Sequence, residues 1–462
     1  MKIIIFGTGA YYQEYKRFIE KCEIVALIDN DSKKWGKELD GVKIYSPSEV
    51  LKYSFDYIYI LSSYDIEMRD QLRSMGIAEE KICDQHDLWK LGSFYHQHVY
   101  DAQWNSDRGK RIFMISHDLL LRGAQIALYT LARALKERGY QIIVASPYDG
   151  PLRKNLIENN IPVIIYPNLV FSNLDCLDLL HEADLIVVNT STLYYLLREY
   201  SYKVPVIWWL HESKMLYDEF GLTKRLSNVH YSATKILACS EIAKADFGEL
   251  VPNNTVDILT YGFDDEAYSD IDDLDVSSHS KRVFAIIGAM EERKGQDIFL
   301  DAIQKMSPDL RQQCEFWFIG PTHYSLGESI KKSTQSIKEI RIFDEQDRQS
   351  MKKMYSLIDV LVCPSREESM SIVSIEAMMF SKPCIVTSST GISRFIQNGI
   401  DGFVVPSENV DELLKKMEFF LKNPDKICEM GKLSRKIFEN NFLIKCLAEN
   451  FIHHAKVLIS ES

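Results

Sequence analysis

The sequence predicts an α/β protein made of three doubly wound parallel-sheet units in a row. Two observations carry that reading. Three segments open alike, with a short apolar run that meets a turn containing glycine and then takes up a helical pattern: KIIIFGTG from Lys2, RIFMISHDLLLRGAQ from Arg111 and RVFAIIGAMEERKG from Arg282. Each reads as the first strand, turn and helix of such a sheet. The length of 462 residues also suits roughly three domains at about 150 residues each.

The elements follow in order. In residues 1–96 the runs KIIIF, EIVALID and YIYIL alternate with helical stretches YYQEYKRFIEK and EMRDQLRSMG, enough for one small domain of the Rossmann kind. In 110–265, Ile126, Thr130, Leu131 and Leu135 recur at helical spacing after Gly123, and QIIVAS, IPVIIY, DLIVVNT, VPVIWWL and KILACS follow as strands of a larger sheet. In 281–440 the strands are VFAIIG, EFWFIG, VLVCPS, KPCIVTS and GFVVP, with helices between them. The chain closes on an amphipathic helix within 441–462, with Leu447, Phe451 and Leu458 on one face, and this helix is expected to pack back on the second domain. Two stretches read as linkers by composition: HQHVYDAQWNSDRGK at 96–110 and the acidic, serine-rich 264–281.

Composition narrows the function. Hydrophobic residues make up 46% and charged residues 26%, the balance of a globular chain, which excludes disordered, collagen-like and coiled-coil classes. The net charge of -12 comes from 54 bases against 66 acids, seven of the acids lying between Asp264 and Asp275. There is no basic field of the kind that neutralises phosphates, so nucleic acid is not expected as a partner. Nine scattered cysteines without a CxxC pair point to a reducing cytoplasm and no structural zinc. The apolar start MKIIIFGTGA is too short for a signal peptide, and no run reaches the ~18 residues that span a bilayer. Membrane contact is expected to be peripheral if present, at the inner face. Segment 110–160, with eight bases against four acids, is where an anionic surface would be met.

Three places carry candidate chemistry. In PSREESMSIVSIEAMMFSKPCIV, Glu368 and Glu376 bracket seven residues behind a strand expected to end at Ser365. A loop and then a helix from about Ser371 put free amides and a positive helix end at the sheet edge, where a diphosphate fits. Glu376, a turn and a half into the helix, is placed to accept hydrogen bonds from vicinal ribose hydroxyls. In GAMEERKG, Lys294 stands at a strand-to-helix turn, where it can neutralise a phosphate. In LHES, His211 follows the strand VIWWL, at the end where α/β sites form. Taken singly, each has a plain structural reading: solvated glutamates at an ordinary turn, a surface lysine, a satisfied histidine.

Taken together and in this order, they resemble the family 4 retaining glycosyltransferases of the GT-B fold over about 110–440. The opening LLLRGAQIALYTLARALKERGYQIIVAS, then WWLHES, ACSE at 238, YGFDDEAY at 261, FIGP at 318, RIFDEQDRQSMKKMYSLIDVLVCPS at 341 and ESMSIVSIEAMMFSKPCIVTSSTGI carry the resemblance. It implies a GT-B architecture, two Rossmann-like doubly wound domains facing a cleft, here preceded by a small third Rossmann-like domain. The implied donor is a nucleoside diphosphate sugar, UDP-linked in preference to GDP-linked, with no cofactor and no metal. The resemblance implies Glu376 on the ribose, Glu368 against the donor sugar, Lys294 on the diphosphate, and the amides of Ser371, Ile372 and Val373 toward the distal phosphate. Arg122 and Gly123 would form the glycine-rich turn of the opposite domain, and His211 would stand near the reacting centre. Three positions depart from the family pattern. Ala289 stands where an arginine usually precedes that lysine by five residues, with Arg293 or Arg366 as stand-ins; Ser371 replaces a frequent glycine; Arg394 replaces a later glutamate.

The acceptor is open among a glycan, a lipid-linked sugar and a protein side chain. The first domain, with Gly7 and Gly9 at its turn and Asp29 about twenty residues on, resembles small nucleotide-binding domains attached to sugar-modifying enzymes, but the third glycine of GxGxxG is absent. It reads as a site for a dinucleotide or nucleotide sugar, or as a docking or oligomerisation module. Two other classes stay open: a non-catalytic GT-B partner of another transferase, and a nucleotide-dependent oxidoreductase or epimerase centred on the first domain.

Overall fold

A computed structural model describes residues 1–91, 98–100, 109–170, 178–197, 204–219, 221–227, 234–267, 281–324 and 326–460. Among the described residues there are three sheets. The first is built from β1 (Lys2–Phe6), β2 (Glu23–Ile28), β3 (Glu38–Leu39), β4 (Val42–Tyr45), β5 (Tyr57–Ile60) and β6 (Ile82–Asp84), in the order β3-β4-β2-β1-β5-β6. Only the β3–β4 pair is antiparallel. Strand alternation sends Ile3 and Ile5 into one core with Tyr12, Phe18 and Tyr59, and Ile4 and Phe6 into another with Ile28, Ile58 and Leu72. Because both faces are covered, the strand reads as an unbroken apolar run.

The second sheet contains β7 (His98–Tyr100), β8 (Arg111–Ser116), β9 (Gln141–Ser146), β10 (Val163–Ile165), β11 (Leu185–Asn189), β12 (Val206–Leu210), β13 (Thr234–Ala238) and β14 (Val256–Ile258). Its order is β14-β13-β12-β11-β8-β9-β10-β7. The stretch 96–110 was expected to be linker, yet His98–Tyr100 pairs antiparallel with Val163–Ile165. Three residues including a Val and a Tyr suffice to close the free edge of β10. The other residues of that stretch, apart from Gly109 and Lys110, lie outside the described set, as do 268–280 of the acidic stretch and Cys176.

The third sheet comprises β15 (Arg282–Ile287), β16 (Cys314–Ile319), β17 (Ile340–Phe343), β18 (Val360–Cys363), β19 (Cys384–Thr387) and β20 (Phe403–Val405). All its pairs are parallel, in the order β17-β16-β15-β18-β19-β20. Strand order therefore reverses between β15 and β18, the place where open α/β sheets bind ligands. One face is packed by Phe284, Phe316 and Phe318 against Phe299 and Ile303 of the helix Gln296–Lys305.

The closing helix runs Ile444–Ser460, with Leu447 and Phe451 buried and Leu458 partly exposed. It lies against the end of β14, where His454 Nε2 is 3.4 Å from the Ile258 carbonyl, and a Cβ on Gly262 would come within 2.6 Å of Leu447. Contacts group the chain into two compact units, Met1–Trp208 with Tyr217–Lys235, and Trp209–Leu216 with Ile236–Ser460. Among the described residues no helix is long and apolar enough to cross a membrane, and no cluster of His, Cys, Asp and Glu could hold a metal ion.

Candidate functional site

Two turns flank the reversal point of the third sheet, one after β15 and one after β18. They are held at fixed spacing by their backbones. Gly295 has φ +72°, and a Cβ there would lie 2.3 Å from the Pro364 carbonyl oxygen, so any other residue would push the turns apart. The Arg366 amide donates to the Arg293 carbonyl at 2.9 Å and completes the tie.

Within this frame Lys294 Nζ donates to Glu368 Oε1 at 2.5 Å, and Ser365 Oγ donates to Glu368 Oε2 at 3.1 Å. Glu368 is only 7% exposed. Burial pushes its carboxyl up, but Lys294 and then Arg293 outweigh burial and hold it below its ordinary value. Its backbone is fixed on both sides, the amide donating to Ser389 O at 3.1 Å and the carbonyl accepting from Gly391 N at 2.9 Å. The result is a buried, ionised carboxylate with a lysine on it, at the C-terminal edge of β18.

The cations around this pair differ in availability. Arg293 donates to Glu291 at 2.7 Å and to the Glu367 carbonyl at 3.3 Å, and it acts electrostatically on Glu368. Arg366 is committed elsewhere: to both oxygens of Asp297 at 3.0 and 2.7 Å, to Glu408 at 3.0 Å and to the Glu292 carbonyl at 2.5 Å. Of the two stand-ins for the arginine missing at Ala289, Arg293 is the one beside Glu368.

β18 ends at Cys363, two residues before the Ser365 expected from the sequence, and the helix runs Ile372–Met379. Ser371 is its N-cap, its Oγ accepting from Ser374 N at 3.4 Å and lying 2.8 Å from Ser374 Oγ. That gives a physical reason for serine where glycine is frequent, since a hydroxyl satisfies a first-turn amide that glycine leaves to solvent. Ile372 and Val373 open the first turn. Glu376 follows on the same helix, with Oε1 bonded by Arg348 and Oε2 by the Tyr355 hydroxyl at 2.7 Å. Arg348 Nε also reaches Glu266 at 3.1 Å, and Lys352 joins Glu266 at 3.0 Å.

His211, at the end of β12, is 6% exposed. Its Nδ1 lies 3.0 Å from the Tyr261 hydroxyl, and its ring packs against both Trp209, 4.6 Å away, and Tyr261, 5.6 Å away. Burial raises the Tyr261 hydroxyl well above its ordinary value, with Cys239, Glu212 and Glu368 adding to the shift. Burial likewise pushes the Cys239 thiol up to about 12. Tyr261 thus stands in the electrostatic reach of Glu368 while holding His211.

The remaining candidates lie on the other two sheets. Arg122 is the exposed N-cap of the helix Gly123–Lys136, which follows β8. Near that turn His117 meets Thr190 Oγ1 at 3.1 Å and Gln125 at 3.1 Å. Thr190 is 1% exposed and has φ +81°, a backbone region a β-branched residue rarely enters. In the first sheet, Gly7 has φ +103° and a Cβ there would lie 2.7 Å from Leu61 O, whereas Gly9 has open space. Asp29, 7% exposed, accepts from Thr8 and Lys34.

Glu368, Lys294 and Arg293 are therefore together, and Glu376 stands on the helix Ile372–Met379 that follows Glu368, already bonded to Arg348 and Tyr355. Tyr261, Arg348, Tyr355 and Thr190 were not foreseen. For Tyr355 a signal existed, a tyrosine in the apolar register of the helix Arg348–Leu357; for the others no local pattern marks them.

Residues 272–437 match the family Glycosyl transferases group 1, residues 108–250 match Glycosyl-transferase family 4, and residues 1–83 match a C2185-like N-terminal domain. An uncharacterized glycosyltransferase of Methanocaldococcus jannaschii is 21% identical over 70% of this chain and 92% of its own length. The lipopolysaccharide 1,2-N-acetylglucosaminetransferase of Salmonella typhimurium is 28% identical over 37% of this chain and 48% of its own. Among solved structures, Anabaena HepE in complex with UDP and glucose superposes with a TM-score of 0.62 at 18% identity, over 75% of this chain and 100% of its own. Fold and matches together define a glycosyltransferase of GT-B type. Within that class the chain matches the family 4 model and then the group 1 model, behind an N-terminal region that has its own sheet.

Proposed function

We propose that the protein moves a sugar from a nucleoside diphosphate sugar, UDP-linked in preference to GDP-linked, to an acceptor hydroxyl with retention, in the synthesis of a bacterial surface polysaccharide or glycoconjugate. The observation that carries the proposal is the buried Lys294–Glu368 pair at the reversal point of the third sheet, with Arg293 beside it and Glu376 on the adjoining helix. UDP and glucose bound to HepE, and the acetylglucosamine transfer named for the Salmonella relative, support the donor class and the setting.

In this reading Lys294 and Arg293 stabilise the departing diphosphate, together with the amides of Ser371, Ile372 and Val373 at the helix start. Glu368 faces the donor sugar, and Glu376 takes the ribose diol once Arg348 turns toward Glu266, which it already touches. The bond from the anomeric carbon to the diphosphate oxygen breaks while the acceptor oxygen attacks the same face. The leaving diphosphate takes the acceptor proton, and the site stabilises an oxocarbenium-like state. His211, oriented by Tyr261, donates to the donor near the reacting centre.

The test is release of nucleoside diphosphate from a panel of UDP- and GDP-sugars, with and without a lysate acceptor. Turnover with one UDP-sugar, reduced by about a hundredfold or more in Glu376→Ala, is expected. A second reading, a non-catalytic partner of another transferase, draws on Ala289 and on the commitment of Arg366 to Asp297 and Glu408. It predicts silence across the panel and no thermal shift with UDP or GDP.

A further inference from the structure

The first sheet contains a cavity of about 620 Å³, within the ~300–1,000 Å³ range of small-molecule pockets. It opens at the C-terminal ends of β1, β2 and β5, where β2 lies on one side of β1 and β5 on the other. That is the reversal point of this sheet, the same topological position as the site in the third. We propose that this cavity is a second ligand site and takes a ribonucleoside monophosphate. The proposal does not depend on the transferase reading.

The polar groups are placed for a ribose and one phosphate. Asp29 Oδ2 is occupied by Thr8 N at 3.0 Å, Thr8 Oγ1 at 2.5 Å and Lys34 Nζ at 2.9 Å, while Oδ1 accepts only from Asp31 N at 2.9 Å. A carboxylate oxygen has two lone pairs, so Oδ1 can accept one more hydrogen bond, as from a ribose hydroxyl. Lys34 gives one of its three N–H bonds to Asp29 and has a 35% exposed side chain in the cavity lining, which leaves donors for a phosphate. Across the lining, Asn30 and Gln71 bond each other reciprocally at 3.0 and 3.1 Å. A base edge can replace either amide with the same donor and acceptor set. Tyr64, 68% exposed and also in the lining, offers an aromatic face.

The same features disfavour a dinucleotide. Tyr12 fills the third-glycine position and is 2% exposed in the core, so the helix cannot close on the strand as the dinucleotide fingerprint requires. The helix Ala10–Tyr15 is only six residues long, and the helix Asp65–Ser74 opens with Asp65 and Glu67, so neither end is built for a pyrophosphate.

The test is calorimetric titration of full-length Glu376→Ala protein, in which the transferase site is weakened, with AMP, UMP, their 2′-deoxy forms and NAD+. One ribonucleoside monophosphate is expected to bind, its 2′-deoxy form about tenfold more weakly. Lys34→Ala and Gln71→Ala, both at half-exposed positions, should each weaken that binding by about tenfold or less; Gln71→Ala should do so without shifting the melting temperature of the unliganded protein, whereas Lys34→Ala, which takes the cation from the buried Asp29, should lower it. Failure of both AMP and UMP to bind, binding unchanged in Lys34→Ala, or NAD+ binding more tightly than the monophosphate that binds would each overturn the proposal. A failed donor panel with intact monophosphate binding would instead count against the transferase reading alone.

Discussion

At the residue scale the decisive feature is a charge kept where water is scarce. Glu368 stays ionised because Lys294 and Arg293 outweigh its burial. Its folded pKa is depressed, so the stability it contributes is present above its ordinary value and is lost as pH falls through the folded value. Lys294→Met reverses the sign. Without the ammonium, burial raises the carboxyl above its unfolded value, and the fold then binds more protons than the unfolded chain. The variant should lose about 3–5 kcal/mol at neutral pH and recover much of it toward about pH 5. Melting temperatures across that range check this: a variant that melts lower by the same amount at every pH would sink the account. The Glu368 and Glu376 spacing and the strand before it were legible in the sequence because they are local. Arg348 on Glu376, 28 residues away, and Tyr261 on His211, 50 residues away, were not, because only folding brings them together.

At the element scale, the turns after β15 and β18 are one piece of architecture. Gly295→Ala places a Cβ against the Pro364 carbonyl at a positive φ. It should destabilise by about 1–3 kcal/mol and raise the donor KM, because the two turns carry Lys294 and Glu368. Steady-state kinetics beside thermal melts check it, and an unchanged KM would mean the spacing does not matter for donor binding. Ser371 supplies a milder comparison. Ser371→Ala should cost about 1 kcal/mol through the lost cap, and Ser371→Gly only a few tenths, readable in denaturant midpoints. Strands with long apolar runs, such as RIFMIS and RVFAII, were readable in advance. Val42–Tyr45, Ile82–Asp84 and Val256–Ile258 were not, because three or four residues with polar neighbours show no period, and His98–Tyr100 was hidden in a polar stretch.

At the scale of the whole molecule, the first sheet and the segment Thr223–Ser227 belong to one compact unit. Arg225 pairs with Asp65, their side chains 10% and 8% exposed, and also reaches the Ser63 carbonyl at 3.3 Å. The neighbouring Lys224–Glu67 pair is exposed and contributes little. Arg225→Ala leaves a buried carboxylate unpaired, at a cost of about 3–5 kcal/mol. Hydrogen exchange of the helix Asp65–Ser74 should then accelerate by about a hundredfold or more, and Lys224→Ala should leave it nearly unchanged. Equal acceleration in both variants would show that charge count, not burial, holds this face.

The docking extends beyond those charges. The His86 ring lies flat on Tyr195, with centroids 3.8 Å apart, and its Nδ1 meets the Val170 carbonyl at 2.6 Å, while Val170 itself joins the core of the first sheet. The leading domain is therefore a graft and not a cassette. A chimera that joins it to another transferase just ahead of Arg111 leaves behind Val170, Tyr195 and Arg225, and exposes a wet aromatic scar on both halves. Recombination that preserves the docking has to carry the chain through Ser227, which ties the inheritance of the first sheet to that of the second.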